Sequence, residues 1–332
     1  MAKEDYKGIW VFAEQENGVI EGTVFELLAK AQDLQAHNKE EIVAVLLGKD
    51  VDALAPSLIA QGANKVIVVD DPALAEYSAR PYQAALAQLI EKYKPSIVLY
   101  GATPLGRDLA PRLMVQLDTG LTADAIDLGY DEDGVFYQTT PAYGGKILAH
   151  IVILEKRPQM ATVHCKMFAP LEANPDAKGE IVKESVSISA DPCFEVVEFV
   201  PDENVEINLA TCEVIVAGGR GVKSEDDLKQ IGELAELLGG QVGVSRPLVD
   251  NGWMPHSRQI GQSGVTVTPK LMLNLAVSGS VQYTLGMQKA NCIVVVNQSA
   301  DAPIYDYAHY GIVADYRQFV PALIEELKNR KA

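Results

Sequence analysis

Glu213-Val214-Ile215-Val216-Ala217-Gly218-Gly219-Arg220-Gly221 is the stretch that decides how the second half of the chain is read. A β-branched apolar run passes straight into three glycines around one arginine, and a helical pattern opens near Ser224 and lasts to about Leu238. A strand feeding a glycine turn that opens a helix is the repeating unit of an open parallel sheet. The same order recurs downstream. Gln241–Ser245 is a short strand followed by Arg246, Leu271–Val277 runs into Ser278-Gly279-Ser280, and Cys292–Asn297 runs into Gln298-Ser299. Helices are expected over Ser280–Gln288 and over Arg317–Arg330.

Upstream, strand-like runs at Gly8–Phe12, Ile42–Leu47, Lys65–Val69 and Ile97–Gly101 alternate with helical patterns at Thr23–Ala36, Val51–Gln61, Arg80–Lys92 and Leu105–Leu117. This too predicts a mostly parallel sheet. From about Gly129 the rhythm shortens. Val135–Thr140, Lys146–Leu154 and Met160–Lys166, broken by Tyr143-Gly144-Gly145 and Arg157-Pro158, read as hairpins closing the first domain. Pro170 to Glu184 reads as loop, and Val186–Phe199 resumes a strand pattern. Val200-Pro201-Asp202-Glu203-Asn204 is the expected boundary, giving domains 1–204 and 205–332 and a possible hinge for the second domain.

Composition narrows the function. A length of 332 residues with 48% hydrophobic and 22% charged residues suits two globular domains with cores of their own. The net charge of −17 opposes binding to nucleic acid or to an anionic membrane. No apolar run approaches the roughly 20 residues of a membrane span. Met1–Tyr6 lacks the apolar core of a signal peptide, so the expected location is cytoplasmic. The 4 cysteines are scattered and the 5 histidines show no ligand spacing, so neither metal nor disulfide chemistry is expected. There is no P-loop, and Ser224 stands where a G-x-G-x-x-G fingerprint needs its third glycine. Gly261-Gln262-Ser263-Gly264 does not match the nucleophile elbow of a hydrolase.

What remains is a rim. The carboxyl ends of parallel strands line one edge of the sheet, and ligands bind there. Glycine lets the backbone approach a phosphate, and the amides opening the next helix favour negative charge. One glycine- or serine-rich turn means little, since most turns are. Four such ends, after residues 217, 244, 277 and 297, describe a nucleotide site.

The residues that build this rim also carry a family resemblance. In order they are Ala217-Gly-Gly-Arg-Gly-Val222, Val242-Gly-Val-Ser-Arg246, Asp250-Asn-Gly-Trp253, Ile260-Gly-Gln-Ser-Gly264, Val277-Ser-Gly-Ser-Val-Gln-Tyr283, Val296-Asn297 with Ala302-Pro-Ile304, and Tyr310-Gly-Ile-Val-Ala-Asp315. With this series the chain resembles, over essentially its whole length, the alpha subunit of an electron transfer flavoprotein. The resemblance implies an α/β protein of two domains: an N-terminal adenine-nucleotide-hydrolase-like parallel sheet and a C-terminal doubly wound FAD-binding domain. It also implies an obligate beta subunit holding FAD or AMP, and an acyl-CoA dehydrogenase (in one branch butyryl-CoA dehydrogenase) as redox partner.

By the same resemblance, Arg246 lies beside the isoalloxazine and stabilises its anionic reduced form, and the Ser263 hydroxyl approaches flavin N5. Ile260, Gly261 and Gln262 belong to the loop at the ring edge, and Arg220 leans on the pyrophosphate or ring. Ser245, Ser278 and Gln282 supply donors to phosphate and ribityl oxygens, with Gly279, Ser280 and Val281 in the same motif. Asn297 and Asp315, with Tyr316 beside it, mark the adenosine end, and Asp315 is also placed to cap the last helix. Tyr283 departs from the pattern: many family members have histidine there, facing the flavin C2 carbonyl. A phenol stays neutral near pH 7, so the anionic ring is expected to rest more heavily on Arg246.

In the first domain, Thr103–Asp108 follows a strand and opens a helix, a place able to hold an anion. The resemblance makes Arg107 and Asp108 structural or interfacial and gives Leu121–Asp124, at an inner loop, no chemistry. Three functions stay open. One is electron bifurcation from NADH between ferredoxin or flavodoxin and butyryl-CoA dehydrogenase, toward which Tyr283 and the absence of a transit peptide lean. The second is delivery of acyl-CoA dehydrogenase electrons to a quinone reductase, and the third a nucleotide-binding scaffold without redox activity.

Overall fold

The computed structural model describes residues 5–142, 147–189, 191, 193–194, 197 and 209–331. The chain divides into two compact units, Met1–Phe199 and Val200–Ala332. The expected boundary at 200–204 and the Tyr143-Gly144-Gly145 turn lie outside the described residues.

The first unit begins with β1 (Ile9–Ala13), a small hairpin of β2 (Gln15–Glu16) and β3 (Val19–Ile20), then α1 (Gly22–Asn38) and β4 (Ile42–Gly48). It continues with α2 (Ala55–Ala60), β5 (Lys65–Asp70), α3 (Ala79–Tyr93), β6 (Ile97–Gly101), α4 (Pro104–Gln116) and β7 (Gly120–Ala125). Then come β8 (Asp127–Tyr130), β9 (Phe136–Ala142), β10 (Ile147–Val152), β11 (Gln159–Val163) and β12 (Glu180–Lys183). Seven of these strands form one sheet in the order β12-β5-β4-β1-β6-β11-β7, parallel throughout. Its central strands read as unbroken apolar runs because both faces are covered. In β1, Ile9, Val11 and Ala13 join one core while Trp10 and Phe12 join the other, as period-two alternation requires.

Three expectations need correction here. The run at Met160 is not part of a hairpin: β11 lies parallel between β6 and β7, and all its residues are buried, Gln159 and Thr162 included. Leu121–Asp124 is not a loop but lies within β7. The stretch read as loop from Pro170 contains β12, a strand of four residues pairing with β5 at the sheet edge. The expected hairpin is present in β9 and β10, which with β8 make a three-stranded antiparallel sheet. On its outer strand β10, Ile147, Leu148, Ile151 and Val152 are all exposed. Among the described residues of 186–199 no strand is found.

Thr103 shows why α4 starts where it does. Its Oγ1 accepts from the Gly106 N–H (3.0 Å), a cap, and donates to Glu14 Oε2 (2.6 Å) at the end of β1. Residue 106 is held to glycine, since a Cβ there would stand 2.0 Å from the Gly101 carbonyl oxygen. Arg107 pairs with Asp124 (3.0 Å), and Asp108 accepts from the Tyr77 hydroxyl (2.8 Å) and from Arg112 (3.0 Å).

The second unit holds β13 (Val214–Gly218), α5 (Glu225–Leu237), β14 (Gln241–Val244), α6 (Arg246–Asp250), β15 (Leu271–Leu275), α7 (Val281–Thr284), β16 (Ile293–Asn297), β17 (Tyr310–Val313) and α8 (Tyr316–Lys331). Its parallel sheet has the order β14-β13-β15-β16-β17, a doubly wound pattern that changes direction between β13 and β15. Ser224 caps α5 by accepting from the Asp227 N–H (3.2 Å), and Glu225, Asp226 and Asp227 fill the first turn, where the helix dipole favours them. The helix expected over Ser280–Gln288 shrinks to the four residues of α7. Gly286 packs directly on Gly261, and a Cβ at 286 would lie 2.5 Å from the Gly261 backbone, so this segment follows the neighbouring loop rather than a helix axis. Among the described residues no helix is long and apolar enough to cross a membrane.

One pH effect follows from the first unit. Burial, reinforced by Glu21 and Glu16 and opposed by the Thr103 bond, raises the Glu14 carboxyl from 4.5 to about 7. A carboxyl raised on folding favours the native state fully below its unfolded pKa and loses that contribution as pH rises through the folded one. Glu14→Gln is therefore expected to flatten the decline in melting temperature between pH 4.5 and about 7, measured by circular dichroism across that window.

Candidate cofactor site

The carboxyl ends of the second sheet are stitched together by hydrogen bonds from loop to loop. The Ser245 N–H donates to Gly218 O (3.0 Å), Gly219 N–H to Leu275 O (2.9 Å) and Gly221 N–H to Ala276 O (3.1 Å). Ala276 N–H donates to Val296 O (2.9 Å), Asn297 Nδ2 to Val277 O (2.7 Å), and Ala314 N–H to Asn297 O (3.1 Å). At the direction change the backbones nearly touch. A Cβ on residue 219 would lie 2.3 Å from Ala276 O and 2.5 Å from Val277 Cα, and one on residue 221 would lie 2.7 Å from the Ala276 Cβ.

Along this rim the expected residues fall into two groups. The first lines a cavity of about 550 Å³ and contains Arg220, Ser278, Asn297, Asp315 and Tyr316. Gln298, from the fourth polar strand end, joins them, with two residues not foreseen from the sequence, Lys223 and Arg317. The cavity thus has three cations, two from the loop after β13 and one from the start of α8, and one carboxylate, in a chain of net charge −17. Arg220 is exposed and has no ion-pair partner among the described residues, while Arg317 reaches Asp227 at 3.4 Å. Asp315 Oδ1 accepts from the Arg317 N–H (2.9 Å), so the expected cap is present. The Tyr316 hydroxyl donates to Asp227 Oδ2 (2.8 Å) and accepts from the Lys223 N–H (3.2 Å), tying α8 to the start of α5. Burial works to raise the Asp227 carboxyl, but the Tyr316 and Ser224 hydroxyls and the Arg317 charge outweigh it and hold the group below its usual range.

The second group lies at β14, beside the first. Ser245 follows that strand and Arg246 opens α6, and the Ile260 N–H donates to Val244 O (2.9 Å), which docks the Ile260–Gly264 loop against the strand. On its other side this loop rests on α7: Gln262 N–H donates to Gln282 O (2.7 Å), and Gly261, at φ +137°, leaves no room for a Cβ, which would stand 2.6 Å from that same oxygen. Ser263 is exposed, and its hydroxyl accepts from the buried Gln259 Nε2 (3.0 Å). Arg246 is exposed and touches Asp250 at 3.4 Å, a surface pair of small energetic weight. Ser278, Ser280 and Gln282 are exposed, Val281 is half-buried, and Gly279 (φ +88°) packs on Ile304.

Tyr283 differs from its expectation. It is 4% exposed, packs in the core with Ile260, Val267 and Met287, and donates its hydroxyl hydrogen to Asn274 Oδ1 (2.6 Å). Burial holds the phenol well above the usual tyrosine range. The hydroxyl thus faces the sheet and not the rim.

Two observations test whether the rim fits a flavin dinucleotide. The three cations around one cavity suit a pyrophosphate. The Ser245 Oγ is buried without any hydrogen-bond partner among the described residues, just past β14 on the same rim. The residues fit.

Fold and rim together define a nucleotide-binding α/β protein whose second unit carries the site. Comparison with known proteins makes this specific. Residues 9–189 match the electron transfer flavoprotein domain, and residues 208–288 match the electron transfer flavoprotein FAD-binding domain. The chain is 42% identical over 328 residues to the electron transfer flavoprotein subunit alpha of Thermoanaerobacterium thermosaccharolyticum, covering 98% of this chain and 99% of that one. It is 43% identical over 331 residues to the protein of the same name from Megasphaera elsdenii, covering 98% of each. It is also 40% identical over 326 residues to the lactate dehydrogenase (NAD(+),ferredoxin) subunit LctC of Acetobacterium woodii, covering 97% of this chain and 77% of that one. The chain belongs to the electron transfer flavoprotein alpha-subunit family, and its second unit is an FAD-binding domain.

The close approach at residue 219 gives a test. Gly219→Ala forces the β13 and β15 loops apart and is expected to cost about 1–3 kcal/mol of stability, the usual range for overpacking. Urea unfolding followed by flavin fluorescence should show both the lower midpoint and weaker FAD retention.

Proposed function

We propose that this chain is the FAD-holding subunit of a heterodimeric electron carrier that passes electrons singly between a beta subunit and an acyl-CoA dehydrogenase. The observation that carries the reading is the pairing at the end of β14 of the unpartnered Ser245 hydroxyl with the exposed Arg246. A guanidinium held only by a weak surface pair remains available to an anionic ring edge, and a buried hydroxyl awaits an acceptor or donor beside it. FAD supplies the electron chemistry when bound, and the residues described here bind, orient and tune it. Arg220, Lys223 and Arg317 hold the diphosphate, Asn297 and Asp315 serve the adenosine end, and Gly261–Ser263 frame the ring edge.

The beta subunit has a docking surface in this reading. Strand β10 presents Ile147, Leu148, Ile151 and Val152 to solvent on the outer edge of its sheet, which a second chain would cover by adding a strand or a face. For direction of electron flow, we favour bifurcation from NADH, with ferredoxin or flavodoxin as one acceptor and butyryl-CoA dehydrogenase as the other partner. The similarity to a subunit whose name includes NAD and ferredoxin supports that branch. Delivery of electrons to a quinone reductase is the alternative.

Co-expression with the beta subunit tests all of this. A yellow heterodimer with two FADs that oxidises NADH supports bifurcation, and one FAD plus AMP supports the alternative. A colourless complex would sink the carrier reading. Arg246→Ala, with the fold intact, is expected to lower the midpoint potential of the bound flavin, read by spectroelectrochemistry.

A further inference from the structure

We propose that Tyr283 is a positioning residue for the flavin edge, pinning the Gly261–Ser263 loop from behind through its hydrogen bond to Asn274; this rests on the FAD reading of the rim. The anchor is rigid. Asn274 is 0% exposed in β15, with Ala217 of β13 on one side and Val295 of β16 on the other. Its Oδ1 accepts the Tyr283 hydroxyl hydrogen at 2.6 Å, inside an apolar core. A tyrosine buried in such a core places its hydroxyl where a partner waits, and here the partner belongs to the central strand of the sheet.

The anchor also has something to hold. At four residues α7 is far too short to persist by its own hydrogen bonds, so tertiary contacts fix it. The Ile260–Gly264 loop leans on α7 and on the turn after it. Gln262 N–H donates to Gln282 O (2.7 Å), Val267 N–H donates to Gly286 O (2.8 Å), and Gly261 lies against Gln282 O with no space for a Cβ. The tie therefore runs from Asn274 through the Tyr283 ring to the Gln282 carbonyl and on to the Gln262 amide. Gln262 and Ser263 are the side chains placed at the ring edge. Tyr283 acts on the flavin by fixing where they stand.

The test uses the full chain with its beta subunit and the Tyr283→Phe variant, which leaves the Asn274 oxygen buried without a donor. In flavin-free complex, hydrogen exchange in peptides covering residues 259–267 is expected to quicken about tenfold, because the loop opens locally more often. In flavin-loaded complex, the midpoint potential and the fine structure of the visible flavin spectrum are expected to shift. The pair Tyr283→Phe with Asn274→Leu removes both polar partners and the tie with them, so it is expected to recover melting temperature while exchange stays fast and the spectrum stays shifted. A purely structural tyrosine would lower the melting temperature while potential and spectrum stayed at wild-type values, and that result overturns the proposal. Unchanged exchange at 259–267 overturns it too, without reference to flavin. A wild-type complex that takes up no flavin overturns instead the FAD reading on which it stands.

Discussion

The constraint on which the second unit depends is the near contact of two backbones at the sheet's change of direction. Gly219 and Gly221 let the loop after β13 lie against Ala276 and Val277, and the bonds to Leu275 O and Ala276 O lock it there. Every other strand end is referenced to this contact: Ser245 through Gly218, Val296 through Ala276, Asn297 through Val277, and the turn to α8 through Asn297. A side chain at residue 219 would break the seam from which the rim is assembled. The glycines thus act mainly as spacers between strands, and their openness to a phosphate follows from that geometry. Ala276, with φ +53°, accepts a left-handed backbone without glycine, which shows how strongly the seam dictates local conformation.

Much of the architecture was legible in the sequence, for identifiable reasons. Strands β1, β4, β6, β13 and β16 are β-branched runs buried on both faces, so they carry their own signal. β12 and β17 do not. Both are four-residue edge strands, mostly exposed, and an edge needs no continuous apolar run to pair. β11 was visible as a strand but not in its place, because local pattern cannot tell a hairpin partner from a strand inserted between β6 and β7. α7 was overextended because helical propensity across 280–288 says nothing of Gly286 packing on Gly261. The cationic cavity shows the same limit. Arg220 and Asp315 sit in recognisable motifs, but Lys223 and Arg317 flank them and enter only through the folding of α5 and α8 toward each other.

The site divides its labour along the rim. Positive charge is concentrated around Arg220, Lys223 and Arg317, and the proposed function puts the diphosphate there. Neutral donors and one loosely held arginine lie beside β14, where a ring whose charge changes during its work would be placed. A chain that is acidic as a whole thereby keeps a local positive region without a general affinity for polyanions. Tyr283 illustrates the difference between a residue's position in a motif and its role. The motif placed it with flavin contacts, yet its hydroxyl is turned to the sheet and its influence passes through the backbone.

Strand β10 carries a consequence for how the chain is made. An outer strand with Ile147, Leu148, Ile151 and Val152 exposed is a template for pairing with any chain that reaches it first, including another copy of itself. Newly synthesised chain is therefore in a race between its proper mate and self-association, and the outcome of such a race depends on relative concentrations. In the proposed complex the beta subunit covers β10, so matched synthesis of the two chains shortens the time for which that edge is open to self-pairing.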